Sequence, residues 1–143
     1  DPELADLMGE LDAAMFVFCS LANTPLAELP KKSEAFYRRL RCCRPETPIL
    51  LLSRTSYSPE DYSKVLWLNQ EGYRDSMIHL YSKMRKAGDR NLHFADGDAL
   101  IPFGVSAAHV DGCHPSDHGF QMMAERVAPY IQKILLADWL ADA

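Results

Sequence analysis

The stretch Ala13-Ala14-Met15-Phe16-Val17-Phe18-Cys19-Ser20-Leu21 is a continuous apolar run bounded by polar residues. It suits a strand buried on both faces, the environment that a parallel sheet provides. Pro48 to Ser53 (PILLLS) reads as a second buried strand, and Asn91 to Ala95 (NLHFA) as a third, short one at a sheet edge.

Helical patterns separate the strands. Asp1-Pro2-Glu3 is a helix start, with a cap, a proline at the first helical position and an acid in the first turn, and the helix runs to about Leu11. Pro30 opens a second helix through Cys43. Ser58-Pro59-Glu60-Asp61 opens the longest, whose apolar positions Tyr62, Val65, Leu66, Tyr73, Met77, Leu80, Tyr81 and Met84 keep helical spacing. Gly72 weakens its middle and Gly88 closes it. Gly97 to Pro115 is a long loop, a class that is often functional. Ser116 caps the last helix, with Phe120, Met123, Val127, Ile131, Ile134 and Leu135 facing inward. Pro129 falls inside it and is expected to kink it or mark a boundary, since an interior proline costs ~3 kcal/mol. Helix and strand alternate throughout, which predicts one α/β domain over residues 1–143, a parallel sheet with helices on both faces.

The net charge of -5 argues against a nucleic-acid-binding protein. The basic segment from Lys31 to Arg44 is most simply a solvated helix face. No apolar stretch approaches the ~20 residues of a membrane span. Cys19, Cys42, Cys43 and Cys113 lack CxxC spacing, so they suggest neither a zinc ribbon nor a redox motif and leave the compartment undecided. Cys19 is expected as a small core residue. The opening Asp1-Pro2 carries no methionine, so the native start is not visible in these residues.

The chemistry gathers in Val110-Asp111-Gly112-Cys113-His114-Pro115, followed by Ser116-Asp117-His118-Gly119-Phe120. A carboxylate and an imidazole stand three positions apart in a loop before a helix. A serine hydrolase needs that pairing: the imidazole takes the serine proton, and the carboxylate fixes its tautomer and stabilises the imidazolium. His114 also fits a packing role at a helix entrance, and Asp111 a turn before Gly112. His109, Asp111, Cys113, His114 and His118 are all potential zinc ligands, but their spacing matches no common zinc motif. His79 and His93 have no partner visible in sequence. Asn23 follows the first strand, where ligands gather in open parallel sheets. Its amide suits an oxyanion donor, or a turn before Pro25. Ser20, Ser53, Ser56, Ser58 and Ser106 are the candidate serines. Ser53, just after the second strand, is the best placed.

The Asp111-x-x-His114-Pro115 block, with Gly119 and Met123-Ala124 at the following spacing, resembles the last block of the SGNH/GDSL hydrolases. The resemblance covers nearly all of this chain but only the later part of the family's domain. It implies a flavodoxin-like α/β/α sandwich, with His114 as general base, Asp111 as its orienting partner and Asn23 as an oxyanion donor. It implies no cofactor and no metal. The implied substrate is a carboxylic ester, of a carbohydrate, a lipid or a small molecule. The family's opening Gly-Asp-Ser block is not among these residues, so the resemblance implies a serine from an upstream segment. The family's sheet order 2-1-3-4-5 further implies that Ala13 to Leu21 pairs with that segment. Without it, or another chain, the strand would be an exposed apolar edge prone to association. A non-catalytic α/β interaction or ligand-binding module of this fold is the alternative. A flavodoxin-like ligand-binding domain is disfavoured, because no phosphate-cradling glycine-rich loop follows a strand.

Overall fold

Three short strands, β1 (Phe16–Phe18), β2 (Ile49–Leu52) and β3 (Leu92–Ala95), lie side by side in the order β1-β2-β3, and both pairings are parallel. The structure is a computed structural model that describes residues 3–19, 23–102 and 104–141. All four residues of β2 are buried, as the unbroken apolar run requires of a strand covered on both sides. Successive side chains alternate between faces. Ile49 and Leu51 enter one core with Phe16, Phe18 and Leu92, while Leu50 and Leu52 enter a second with Ala95.

The first core is closed by α1 (Glu3–Gly9), α2 (Leu29–Cys43) and α3 (Lys64–Lys86), through Ala5, Leu29, Leu40, Met77, Leu80 and Met84. The second is closed by the short α4 (Gly97–Leu100) and by α5 (Asp117–Ala141), through Leu100, Ile134, Met123, Val127 and Ile131. The result is a three-layer α/β/α arrangement around a parallel sheet, as the alternating pattern predicts.

Several local expectations give way. β1 is shorter than Ala13–Leu21, and Val17 is 43% exposed, because this strand is paired on one side only among the described residues. Ser20, within that expected strand, lies outside the described residues. Cys19 is exposed instead of buried, since the strand stops at Phe18. Ser58–Asp61 forms a separate 3-10 turn, and α3 begins after it with Ser63 as cap, its Oγ accepting from the Leu66 N–H at 3.4 Å. Tyr62, Val65 and Leu66 are therefore exposed; the first buried residue of α3 is Gln70, level with Arg54 just past β2, so the turns before it run beyond the sheet. The longest helix is α5, which continues through Pro129. Phe120, in its first turn, is exposed. The region expected as one loop after Gly97 contains α4 and a 3-10 turn, Ser106–Ala108.

Arg41 secures the amino ends of the strands. Its Nε donates to Asp89 Oδ2 at 2.8 Å, and its other nitrogens donate to the carbonyls of Arg44, Pro45, Thr47 and Asn91. Tyr37 donates to the same Asp89 carboxylate, and burial, with that contact second, pushes its phenol up to about 12. Removing one partner of a mostly buried pair leaves the other charge uncompensated. Arg41→Ala should therefore destabilise the fold by about 3 kcal/mol. Arg39→Ala, which breaks an exposed pair with Asp6, should leave the denaturation midpoint essentially unchanged. Urea unfolding of both variants checks the contrast.

Candidate active site

The carboxyl ends of β2 and β3 are joined by a close backbone approach. A side chain on Gly97 would place its Cβ 2.3 Å from the carbonyl oxygens of both Ser53 and Arg54, so only glycine fits. Ser53 is fully buried; its Oγ accepts the Gly97 N–H at 2.7 Å and donates to Asp96 Oδ1 at 3.1 Å. Burial works to raise the Asp96 pKa, but donors from Arg74, Ser53 and the Asp98 N–H outweigh it and hold the carboxyl below its ordinary value. Ser53 thus stands at the strand end where the sequence places it, with its hydroxyl engaged in tying the strands together. Ser56 is also buried, donating to the Ile101 carbonyl.

The loop of residues 109–115 sits at this same end of the sheet. It is closed by the Val110 N–H donating to the His114 carbonyl at 2.9 Å and by an antiparallel bridge between His109 and Pro115. Within it, Asp111 Oδ2 lies 2.6 Å from His114 Nδ1, and Asp111 Oδ1 accepts the N–H groups of His114 (2.8 Å) and Cys113 (3.0 Å). Those donors, with the His114 backbone the largest contributor, hold the Asp111 carboxyl far below the usual carboxylate range. The carboxylate fixes both the turn and the orientation of the imidazole, because it engages Nδ1 as well as the His114 backbone N–H. Ser116 caps α5 through the Gly119 N–H at 3.2 Å, which fixes the loop's exit.

His114 and Asn23 line one cavity of about 450 Å³, together with Ser53, Arg54, Tyr57 and Cys113. The structure thus brings together all three residues singled out by sequence, Asn23 and His114 across the cavity and Asp111 behind His114. A larger apolar groove of about 660 Å³ runs beside β1, lined by Leu4, Leu7, Leu11, Val17 and Phe36, and it meets the first cavity at Cys19 and Asn23. The smaller cavity is the one that His114 lines.

The cluster that also suggested a metal is divided. His109 Nδ1 faces Ser58 Oγ at 3.1 Å, Cys113 contacts the Tyr57 hydroxyl, and His118 is exposed. Among the described residues, no three His, Cys, Asp or Glu side chains are grouped to hold a metal ion. Nor is any described serine hydroxyl hydrogen-bonded to His114. Sequence reading passed over Arg54 and Tyr57. Their one signal was position, within five residues of the end of the most apolar strand. Burial, followed by the Cys113 contact, pushes the Tyr57 phenol up to about 12, so it stays protonated at neutral pH.

Comparisons with known proteins agree with this fold. A candidate GDSL-like lipase from Bacteroides ovatus superposes with a TM-score of 0.86 at 26% identity, over 94% of this chain and 40% of that one. The salicylyl-acyltransferase SsfX3 of a tetracycline biosynthetic pathway shares the fold with a TM-score of 0.73 at 22% identity, over 88% of this chain and 39% of that one. A carbohydrate esterase family 3 protein from Talaromyces cellulolyticus shares it with a TM-score of 0.64 at 13% identity, over 94% and 64% of the two chains. The chain thus spans about two fifths of the length of the first two proteins. No curated protein matches the sequence. The sequence profile of the GDSL-like Lipase/Acylhydrolase family matches residues 1–132, and with the parallel α/β/α sheet and the Asp-x-x-His-Pro loop, this chain belongs to that family.

Proposed function

We propose that this chain forms the distal part of a serine ester hydrolase in which His114 is the general base, Asp111 its orienting carboxylate and Asn23 an oxyanion donor. The observation that carries the reading is the 2.6 Å contact between Asp111 Oδ2 and His114 Nδ1 beside a cavity that Asn23 also lines. With Nδ1 held, Nε2 takes the proton of a serine hydroxyl as its oxygen attacks the ester carbonyl. The carbonyl oxygen becomes an oxyanion, which the Asn23 amide stabilises. Collapse expels the alcohol, which receives the proton from His114; water then attacks the acyl-serine in the same manner and releases the acid.

The serine comes, in this reading, from an upstream segment. Two features support that. Ser53 and Ser56 have buried, bonded hydroxyls, and the groove beside the edge of β1 that is unpaired among the described residues leads to Asn23. A strand laid along that edge would end at the cavity. The substrate is a carboxylic ester, and esterase, lipase and carbohydrate deacetylase activities all fit the chemistry. Among the described residues, no helix is long and apolar enough to cross a membrane.

In the complete enzyme, His114→Ala should abolish turnover of p-nitrophenyl acetate, and Asn23→Ala should lower kcat by about 10²-fold or more. An unchanged kcat for Asn23→Ala would return that residue to a turn-forming role. Ser53→Ala should instead destabilise the fold by roughly 1–3 kcal/mol, because the buried Gly97 N–H loses its acceptor. Residues 1–143 alone should show no esterase activity and should self-associate through β1, which sedimentation with and without the upstream segment measures.

The depressed Asp111 pKa sets a sign. The carboxylate's contribution to the loop is present above the unfolded value, near pH 4, and is lost only as pH falls through the lower folded value. Asp111 should therefore add no inflection to the kcat/KM profile above about pH 4. An inflection above that pH that disappears in Asp111→Asn would contradict the assignment.

A further inference from the structure

Arg54 is the first residue beyond Ser53 at the end of β2, and it is 94% buried although it is charged, being 6% exposed. Its Nη2 lies 2.5 Å from Glu60 Oε1, and Glu60 is buried as well. The second Glu60 oxygen accepts the Tyr57 N–H at 2.7 Å. The guanidinium stands 4.0 Å from the centroid of the Tyr57 ring and 5.3 Å from that of Tyr73. The Arg54 carbonyl accepts from Gln70 of α3 at 2.9 Å. One buried ion pair thus holds both ends of the short loop after β2 and clamps Tyr57 between them.

The outer side of this loop is where the imidazole-bearing loop rests. The Ser58 N–H donates to the Gly112 carbonyl at 2.8 Å, and Ser58 Oγ faces His109 Nδ1 at 3.1 Å. Gly112 adopts φ +90°, and a Cβ there would come within 3.2 Å of Pro59 Cδ. The Tyr57 hydroxyl meets Cys113, the neighbour of His114. Residues 57–59 therefore touch the loop at 109, 112 and 113, on both sides of Asp111 and next to His114. Asp111 and His114 fix each other, and Ser116 holds the loop's exit against Ala107 and Ala108; among the described residues, the tip at Gly112 and Cys113 meets the rest of the fold at residues 57–59.

A buried ion pair is a poor source of stability, because desolvation offsets most of the attraction; its best-attested use is to specify geometry. We infer that the Arg54–Glu60 pair sets the position of His114 over the cavity, through the platform of residues 57–59. Arg54 and Glu60 are in this account positioning residues, and the inference rests on His114 being the general base.

The test is made in the complete enzyme with p-nitrophenyl acetate. Replacing the pair by apolar residues of similar size, Arg54→Met with Glu60→Leu, leaves no unpaired buried charge, and the loss of the Glu60 acceptor for the Tyr57 N–H should lower the thermal midpoint only modestly, with the cooperative transition kept. The expected result is a kcat lower by about 10-fold to 100-fold, as for a general base displaced by a fraction of an ångström to an ångström, with KM within about twofold. Ser58→Ala, a milder change at the contact between the two loops, should lower kcat about threefold to tenfold with KM unchanged, and it decides the matter if the double variant does not fold. A folded double variant with parental kcat, or a Ser58→Ala enzyme with parental kcat where the double variant cannot be obtained, would overturn the inference. So would a raised KM at unchanged kcat, which marks a substrate contact instead. His114→Ala separates the two levels: an inactive His114→Ala enzyme alongside fully active platform variants removes this inference alone, whereas an active His114→Ala enzyme removes the hydrolase reading beneath it.

Discussion

The constraint on which the rest of this structure depends is the complete burial of β2 between two helical layers. Each of its four residues faces a core, and its backbone is paired on both sides. Such a strand can carry no polar side chain until it ends, so polar groups concentrate immediately after Leu52. Ser53, Arg54 and Ser56 are all buried there, and each is bonded to a neighbouring segment. The strand that builds the core thereby also defines where the site begins.

The two ends of the sheet are built differently. At the amino ends, Arg41 gathers backbone carbonyls and one carboxylate into a compact tie among α2 and the turns leading to β2 and β3. At the carboxyl ends, contacts run from loop to loop: Ser53 to Asp96 and Gly97, Arg54 to Glu60, Ser58 to Gly112 and His109. A cavity remains between these loops, with His114 exposed on one side and Asn23 on the other. That division of labour fits an α/β domain whose stability lies in its layers and whose chemistry lies in its loops.

Much of this was legible in sequence. Unbroken apolar runs identified the parallel strands, since only burial on both faces tolerates them, and three-or-four spacing identified the helices that cover them. The Asp-x-x-His pairing was legible because both members lie in one turn, where three residues of separation suffice for contact. The boundaries were less so. The turn Ser58–Asp61 reads as the start of a helix because proline and acids favour a first turn, yet Ser63 is extended (φ -129°, ψ 109°) and caps a new helix after it. The exposure of Val65, Leu66 and Phe120 was hidden for a related reason: helical periodicity reports a face, and it does not report where along the helix the sheet ends.

By itself, then, the sequence determined the layered parallel fold, the family and the local contact between Asp111 and His114, because each depends on spacing along the chain. The tertiary structure alone decided that Ser53 serves to join strands, that Asn23 and His114 share a cavity, and that a buried Arg54–Glu60 pair lies beneath the loop of His114. These depend on the approach of segments 44 to 91 residues apart, a distance over which side-chain pattern carries no register and only the packing of the two cores fixes the geometry.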